Sequence, residues 1–495
     1  MTRARAIGFT LLASLLTVLL AQLAAANGAL PIPPLPTDVL TGSFTGTPAT
    51  ARPLAHQPIG QNPFLSPNGT SSMHNDAYAS DAYTVSGPLG RNLQVRSASY
   101  GVSECATMAF DSRHRIVGLC GGLEGFALRL IDPTTLKTIG SDLKTSSRNL
   151  LALQNPFSDI CGGTYFSLSN SDVAYVLTTT KQVWKVRVDA GGFTKIGAYD
   201  ASKSIPADDC MVATLPDWKG NIFFATQQGR VGFINRTTGA IKVRSFPGEG
   251  IFNSVAGDES GAIYLVTTHR LIAVAASATG APVVRWSARY DRGSVTKPGQ
   301  LSQGSGTTPT LIGKDLVAIT DNADPRMHVI FYRRSGTDPG RRICQVPVFG
   351  SGASDTENSL VYAGGRSVIV ENNYGYAGVQ STMFGKTTSP GLAKVTLRTD
   401  GTCAVSWTSR LSAPTSVPKV SLGNGLLYAY TKAASTPLDD SWYFTAIDVR
   451  TGATRWKQRT GNGIQWNNHY ASIYLGPDGA AYMPTLAGLI RFKDR

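Results

Sequence analysis

Three side chains in this sequence have the chemistry of acid–base catalysis. The imidazole of His469 titrates near neutral pH and can take up or release a proton. Glu357 and Asp209 are carboxylates that can serve as its partner or as the alternative base. The competing interpretation is that His469 only hydrogen-bonds the backbone of a neighbouring structural unit. These three residues are the catalytic candidates.

A second set of side chains has the atoms that bind small molecules or hard cations. Ca²⁺ takes about 6–8 oxygen ligands, and the candidates for such a site are Glu357, Asn358 and Asp321. Asn and Asp are also frequent in turns, which explains much of this composition without a metal. The candidates for binding a small polar ligand are Asn253, Asn358, Asn468, Tyr470, Asn372 and His74.

The elements that must position these residues are short strands. From residue 93 onward, β-rich runs alternate with Gly, Asp and Asn turns at spacings of roughly 8–12 residues, a pattern typical of all-β proteins. A four-strand unit repeats along the chain. Its clearest copies span 252–289, 210–247 and 105–145, and looser copies start near 163, 308, 357 and 416.

The segment from Ala446 to Trp456 carries a family signature. It resembles the blade-docking turn of the pyrroloquinoline-quinone (PQQ)-like β-propeller proteins, whose repeats carry Ala-x-Asp-x-x-Thr-Gly-x-x-x-Trp. The resemblance implies that Asp448 and Thr451 hydrogen-bond across the turn, that Gly452 supplies a positive φ, and that Trp456 packs between blades. It also implies a propeller fold built from four-stranded blades.

The same resemblance suggests cofactors. In PQQ dehydrogenases, Glu, Asn and Asp side chains hold Ca²⁺ beside the quinone, so Ca²⁺ and PQQ are the cofactors to consider for Glu357 and Asn358. Those enzymes commonly have adjacent cysteines over the cofactor, and this sequence has no Cys-Cys pair. The resemblance therefore supports the architecture more firmly than it supports the quinone.

The last repeat determines the number of blades. Residues 468–495 have room for only three strands, and we expect the missing fourth strand in 92–99, near the N-terminus. Such a strand closes the ring and removes its open edge. We therefore predict an all-β fold, a single β-propeller of eight four-stranded blades over 92–495. Seven blades is the alternative, because the units near 163 and 357 are the least regular.

Propeller geometry predicts where the candidates meet. The loops that lead into the innermost strands and those that join second and third strands lie on one face, around the channel. Most of the candidates, together with Glu104 and Glu371, fall in such loops. His74 lies instead in the polar segment 73–83, which either crosses this face or forms a surface strap stabilised by its own turns. We favour the surface strap.

The N-terminus and the cysteines indicate export. Arg3 and Arg5 precede an apolar run over 7–23 and three alanines, which predicts a signal peptide over 1–26 rather than a membrane anchor. A Pro-rich extended leader follows over 27–91. Six cysteines fit an extracellular or periplasmic compartment. Their order suggests the pairs Cys105–Cys120, Cys161–Cys210 and Cys344–Cys403.

Charge and motifs narrow the function classes. The formal net charge is +14, but the basic residues are scattered, so nucleic-acid binding is not indicated. Phosphate loops, Gly-x-Ser-x-Gly elbows and His-Glu-x-x-His motifs are absent from the sequence. We expect a secreted monomer that binds a small molecule or glycan at the channel mouth, with acid–base or quinone-assisted catalysis left open. The alternative is a non-catalytic protein-interaction scaffold, similar to the PQQ-like propeller of bacterial outer-membrane assembly.

Overall fold

A computed structural model describes residues 32–122, 125–146, 160–162 and 164–495. The predicted signal peptide, 1–26, lies outside these residues. Three strands early in the chain join sheets that later strands build: β1 (Phe44–Gly46), β2 (Ala82–Tyr83) and β3 (Gln94–Ser99). Two short 3-10 turns occur at Val379–Thr382 and Ile464–Trp466. In the part of the chain that is described, no helix is long and apolar enough to cross a membrane.

The remaining strands form eight sheets, each a meander of consecutive antiparallel strands. The strands of blades 1 and 2 are β4 (Ser103–Phe110), β5 (Ile116–Gly122), β6 (Gly125–Ile131), β7 (Leu143–Lys144), β8 (Phe166–Leu168), β9 (Val173–Leu177), β10 (Gln182–Asp189) and β11 (Gly192–Asp200). Those of blades 3 and 4 are β12 (Met211–Pro216), β13 (Ile222–Thr226), β14 (Arg230–Ile234), β15 (Ile241–Ser245), β16 (Ala256–Gly257), β17 (Ala262–Val266), β18 (Arg270–Ala276) and β19 (Pro282–Arg289).

Blades 5 to 8 continue the pattern. Blades 5 and 6 contain β20 (Thr310–Ile312), β21 (Leu316–Thr320), β22 (His328–Arg333), β23 (Arg342–Pro347), β24 (Val361–Tyr362), β25 (Ser367–Glu371), β26 (Leu392–Leu397) and β27 (Cys403–Ser409). Blades 7 and 8 contain β28 (Lys419–Ser421), β29 (Leu426–Thr431), β30 (Ser441–Asp448), β31 (Thr454–Asn462), β32 (Tyr474–Leu475), β33 (Ala481–Thr485) and β34 (Gly488–Lys493). The first strand of each blade is nearly all buried, whereas the fourth is partly exposed.

The prediction of eight blades closed by an N-terminal strand is confirmed. β3 pairs antiparallel with β34, from Gln94 opposite Lys493 to Ser99 opposite Gly488, and so supplies the fourth strand of blade 8. β1 and β2 extend blade 7 to six strands. The core runs between blades, because the two faces of every sheet are covered by the neighbouring sheets.

The docking turn of blade 7 has the expected hydrogen bonds. Asp448 Oδ1 accepts from the backbone N–H groups of Arg450 at 2.9 Å and Thr451 at 3.2 Å. Gly452 has φ +73°, and a Cβ there would lie 2.6 Å from the ring of Trp407. The tryptophan that packs on this turn is therefore Trp407 of blade 6, the preceding blade.

Trp456 packs at the ring closure instead. A Cβ on Gly90, which has φ +86°, would lie 2.8 Å from the Trp456 ring. The carboxylate of Asp494 accepts from the N–H groups of Leu89 at 2.6 Å, Gly90 at 3.0 Å and Arg91 at 2.9 Å. Asp494 and Gly90 thus occupy the places that the Asp and Gly have in a continuous docking turn. Here the two chain ends build the turn together.

All three predicted disulfides are present: Cys105–Cys120, Cys161–Cys210 and Cys344–Cys403. The first joins two neighbouring strands of blade 1, β4 and β5. The second joins the segments that lead into blades 2 and 3, and the third joins the outermost strands of blades 5 and 6. Two of the three bridges therefore lock neighbouring blades together.

The prediction that residues 73–83 form a surface strap is wrong. His74, Asp76 and Asp81 are 6%, 3% and 0% exposed, because residues 70–83, which we call the plug, lie inside the channel. Innermost strands leave backbone N–H groups unpaired at the channel, and these groups need acceptors. Carbonyl oxygens of the plug accept from such groups in six blades, namely from Phe110, Leu168, Gly257, Leu311, Tyr362 and Val420.

Candidate functional site

The plug forms a buried ionic and hydrogen-bond network with residues of blades 5, 6 and 7. His74 Nδ1 lies 3.1 Å from Asp81 Oδ2, and His74 Nε2 lies 3.2 Å from Thr308 Oγ1. Lys419 forms a salt bridge with Asp81, and both side chains are 0% exposed. Ser359 Oγ donates to the same carboxylate. Burial raises the pKa of Asp81, but the charges of Lys419 and His74 outweigh burial and hold this pKa below its usual range.

Tyr165 lies near both this network and Glu357. Its ring centroid lies 6.2 Å from that of His74. Its pKa is raised first by burial and then by the charges of Glu357 and Asp81. Glu357 precedes the innermost strand of blade 6, so the polar mouth of the channel begins directly above the plug.

Glu371, the last residue of β25, is a buried carboxylate of this mouth, at 1% exposed. Its Oε1 accepts from Asn358 Nδ2 at 3.0 Å, Asn373 Nδ2 at 2.7 Å and the N–H of Ser416 at 3.0 Å. Its Oε2 is buried and has no hydrogen-bond partner among the described residues. Burial raises the pKa of Glu371 to about 8, although these three hydrogen bonds oppose the rise.

Asp355 and Glu357 form a second acidic group in the loop that leads into blade 6. Asp355 is 0% exposed, and neither of its carboxylate oxygens has a partner in the described part of the chain. Glu357 accepts the N–H of Leu301 at 3.2 Å through Oε2, while its buried Oε1 has no such partner. Burial raises the pKa of Asp355 to about 8 against the charge of Lys297. Burial, with the nearby charge of Asp355, raises the pKa of Glu357 to about 8.

Two tyrosines stand beside these acids. The rings of Tyr376 and Tyr470 are 5.4 Å apart and nearly perpendicular. The Tyr470 hydroxyl donates to the carbonyl of Gly299 at 2.7 Å. Burial raises the pKa of Tyr470, and the charges of Glu357, Asp355 and Glu371 raise it further, so all three acids lie near this residue. We call Asp355, Glu357, Glu371, Tyr376 and Tyr470 the mouth cluster.

Glu104, in β4 of blade 1, lies near Tyr376 of the mouth cluster. Its Oε1 is buried and lacks a partner within the described ranges. Burial holds the pKa of Glu104 well above its usual range. The charge of Glu104 also raises the pKa of Tyr376, after the larger effect of burial. Carboxyl groups from two blades, 1 and 6, therefore lie near one small region.

His469, the predicted proton carrier, lies at the edge of this region. Its Nδ1 is 3.0 Å from the Tyr376 hydroxyl, and its backbone N–H donates to Asn467 Oδ1 at 2.7 Å. Its ring packs 5.9 Å from that of Tyr470. His469 therefore reaches the mouth cluster through a tyrosine hydroxyl, and its catalytic role stays a prediction.

The structure does not bring Asp209 to His469. Both oxygens of Asp209 are used within blade 3, where Oδ2 accepts from Thr226 Oγ1 and from an Arg230 guanidinium N–H, each at 2.7 Å. Oδ1 accepts the N–H groups of Cys210 and Gln228. The carboxylate is saturated by its own blade, which leaves no free oxygen to act as a base.

Three of the predicted ligand-binding asparagines donate side-chain hydrogen bonds to backbone carbonyl groups of loops. Asn372 donates to the carbonyls of Ala353 and Pro390. Asn468 donates to the carbonyls of Thr415 and Ala471, and Asn253 donates to that of Ser305 at 3.4 Å. Of the six predicted ligand-binding residues, Asn358 and Tyr470 adjoin the acids of the mouth cluster, while His74 belongs to the plug.

The residues predicted to hold Ca²⁺ do not fit such a site. Asp321 is engaged in blade 5, where its Oδ2 lies 2.8 Å from His328 Nδ1 and its Oδ1 accepts the His328 N–H. Asn358 turns its amide nitrogen, not its oxygen, toward Glu371. Within the described residues, no group of three or more His, Cys, Asp or Glu side chains is placed to hold a metal. The Ca²⁺–quinone arrangement implied by the family resemblance has no counterpart among the residues that the structure describes.

Sequence reasoning missed Asp355, Tyr376 and the Asp81–Lys419 pair. Asp355 had a usable signal, since it precedes Glu357 by two residues in a loop that leads into an innermost strand. Lys419 had none, because a lysine at the start of a short strand is usually solvated. Its counter-charge lies 338 residues away in the chain.

No protein-family model matches the chain. An uncharacterized protein of Archaeoglobus fulgidus is 28% identical over 346 residues, which cover 61% of this chain and 65% of that protein. The chain thus spans less than two thirds of that relative's length.

Several solved β-propellers are similar in architecture. A streptogramin B lyase structure is 9% identical with a TM-score of 0.43 and covers 81% of this chain and 98% of its own. BamB from Moraxella catarrhalis is 12% identical with a TM-score of 0.42 and covers 65% and 93%. The C-terminal WD40 domain of Sif2 is 8% identical with a TM-score of 0.47 and covers 91% and 100%. The likeness is one of fold alone.

Proposed function

We propose that this chain is a secreted, PQQ-like β-propeller that binds a small polar molecule at the mouth of its channel. One observation carries the proposal: Asp355, Glu357 and Glu371, which lie near Tyr470, keep buried carboxylate oxygens without partners among the described residues. Leaving a buried acceptor unpaired costs about 1–3 kcal/mol. A site that retains several such atoms is suited to a partner that arrives from outside.

The plug supports this proposal by making the site one-sided. Because His74, Asp81 and Lys419 are buried and paired with one another, we expect a ligand to enter from the mouth face. One-sided cavities with a few convergent polar groups are typical of small-molecule sites.

Secretion is supported by the cysteines. All six are paired, and disulfides persist in oxidising compartments. Membership of the PQQ-like family rests on the docking-turn sequence around Asp448 and Gly452, and the geometry of that turn agrees with it.

Catalysis at the mouth is a second candidate function, and Glu357 favours it. A carboxyl group with a pKa of about 8 is protonated at neutral pH and can act as a general acid. Tyr376 and His469 lie beside the same region and supply a proton path to its edge. Turnover of a bound molecule that Glu357→Gln abolishes, without loss of binding, would establish this role.

The test of binding is a thermal-shift and calorimetric screen of the intact protein with neutral sugars, amines and carboxylic acids. A ligand at 100 times its dissociation constant adds roughly 2.7 kcal/mol to stability. Asp355→Asn should abolish the response to an active probe. The matched control, Asp132→Asn, alters a docking turn away from the mouth and should leave the response intact.

Two results would overturn the proposal. One is that none of the three probe classes binds, and the other is that Asp355→Asn and Asp132→Asn affect binding equally. A purified protein partner whose binding ignores Asp355→Asn would then favour the scaffold function.

A further inference from the structure

We infer that the molecule bound at the mouth cluster is an organic cation, an amine whose charged nitrogen sits among Asp355, Glu357 and Glu371. The inference rests on the proposed function and adds the chemical class of the ligand. Its basis is an imbalance between acceptors and donors. The three acids bring four buried oxygens without partners, two on Asp355 and one each on Glu357 and Glu371.

The burial of these atoms is the independent sign of a ligand. Asp355 is 0% exposed with both oxygens unpaired, and Glu371 is 1% exposed with Oε2 unpaired. A turn or a loop brace would use such atoms, as Asp209 shows by saturating both of its oxygens inside blade 3. Buried acceptors that have no donor among the described residues are suited to a ligand that carries several hydrogen-bond donors.

Cations of the chain itself do not fill this role in the described part of the structure. Lys297 is the cation that acts on Asp355, and its Nζ is already bonded to the carbonyls of Ala323 at 2.7 Å and Ser354 at 3.3 Å. Lys419 belongs to the plug, where it pairs with Asp81. An ammonium group supplies the missing donors and, once the carboxyl groups ionise, the balancing positive charge.

The neighbouring side chains suit an amine better than a metal ion. Asn358 and Asn373 present amide N–H groups to Glu371, whereas a hard cation takes amide oxygens. The rings of Tyr376 and Tyr470 lie beside the acids, and an aromatic face attracts an alkylammonium group. Carboxylates flanked by aromatic rings are the chemistry that recognises amines.

Binding of a cation should release protons. The free carboxyl groups have pKa values of about 8 and are largely protonated at pH 7, and they must ionise to pair with an ammonium group. A neutral polyol binds to the protonated carboxyls and releases none. Proton release therefore separates the two ligand classes.

The experiment is isothermal titration calorimetry with 1,4-diaminobutane and choline, and with 1,4-butanediol, glucose and CaCl₂ as comparison probes. Each titration is run in two buffers of different ionisation enthalpy, which measures the protons released. We expect an amine to bind at least tenfold more tightly than butanediol, with proton release at pH 7. Its affinity should rise by up to about tenfold per pH unit between pH 6 and 8 for each proton released.

Variants locate the site. Asp355→Asn and Glu371→Gln are nearly isosteric, and each should weaken amine binding at least tenfold and reduce the number of protons released. The docking-turn variant Asp132→Asn should leave both quantities unchanged. Melting curves of each variant establish that it is folded.

Three results would overturn the inference. If butanediol or glucose binds as tightly as the amines and Asp355→Asn abolishes that binding, the ligand is neutral, and the proposed small-molecule function stands without the cation. If CaCl₂ binds at the same residues and displaces the amines, the site is a metal site. If neither amine binds below about 10 mM, the assignment of an amine is refuted whatever the other probes do.

Discussion

Replacing Asp494 with alanine should open the ring at its closure. The closure joins β3 from the N-terminal part of the chain to β34 at the C-terminus. Asp494 fixes the approach to β3 by accepting three backbone N–H bonds, from Leu89, Gly90 and Arg91. It spans 405 residues of sequence to do so. In Asp494→Ala these three donors lose their acceptor, while the β3–β34 ladder remains.

The size of the effect follows from these contacts. Loss of a side chain that caps backbone N–H groups costs about 0.5–2 kcal/mol, and three bonds to a charged, half-buried carboxylate should bring the loss to about 2–3 kcal/mol. Unfolding a ring of about 400 residues changes the entropy by roughly 0.8 kcal/mol per degree. The melting temperature should therefore fall by about 3–4 °C.

Asp448→Ala is the matched control. It removes the equivalent carboxylate from the continuous docking turn of blade 7, where Oδ1 accepts from Arg450 and Thr451. We expect a smaller fall in melting temperature, about 1–2 °C. Limited trypsin digestion separates the two variants, because Arg91 is exposed and only the closure variant should loosen the backbone around it.

The reasoning fails if Asp494→Ala melts within about 1 °C of the parent protein, or if it falls no further than Asp448→Ala. It also fails if cleavage after Arg91 is equally slow in all three proteins. Either result would mean that the β3–β34 ladder closes the ring without the carboxylate.

Three further outcomes are expected. Lys419→Met should lower the free energy of unfolding by about 3–5 kcal/mol, because it leaves Asp81 charged and buried. Chemical denaturation should show that the double variant Lys419→Met/Asp81→Asn recovers more than half of this loss. If the losses of the two single variants simply add in the double variant, the pairing is contradicted. Glu371 has a folded pKa of about 8 against an ordinary value of 4.5, so its contribution to stability is complete below pH 4.5 and is lost as pH rises toward 8, at about 1.4 kcal/mol per pH unit. Thermal melts from pH 5 to 8 should show a shallower decline for Glu371→Gln, and an unchanged slope would refute this. Replacing Cys344 and Cys403 with serine opens a loop of 59 residues and should cost about 4 kcal/mol by denaturant titration; a loss below 1 kcal/mol would contradict the chain-entropy account.

Much of the fold could be predicted because each blade is local in sequence. Consecutive strands pair with each other, so alternating runs and turn residues mark every blade within about 50 residues. The docking turn of Asp448 and Gly452 is equally local, and its hydrogen bonds run between residues two and three apart. The tryptophan that packs on this turn, Trp407, belongs to the preceding blade and cannot be identified from the turn sequence.

The candidate site could be predicted only in outline. Propeller geometry predicted Glu357, Asn358 and Tyr470 on one face, because the loops that carry them lead into innermost strands. It could not distinguish these residues from Asp209 and Asp321. Those two lie in similar loops, but their carboxylates form hydrogen bonds within their own blades. Whether an acid is saturated or left unpaired depends on neighbours that only the assembled ring supplies.

The sequence by itself determined the repeat, the closing strand and the order of the disulfides, since each follows from spacing along the chain. Only the tertiary structure decided the fate of residues 70–83. Their polarity is typical of a surface segment, yet the innermost strands leave N–H groups at the channel that must find acceptors, and this segment supplies acceptors in six blades. Its charges could be buried because Lys419, far away in the sequence, balances Asp81. No local sequence pattern indicates this need for hydrogen-bond acceptors, because it arises only once the ring has closed.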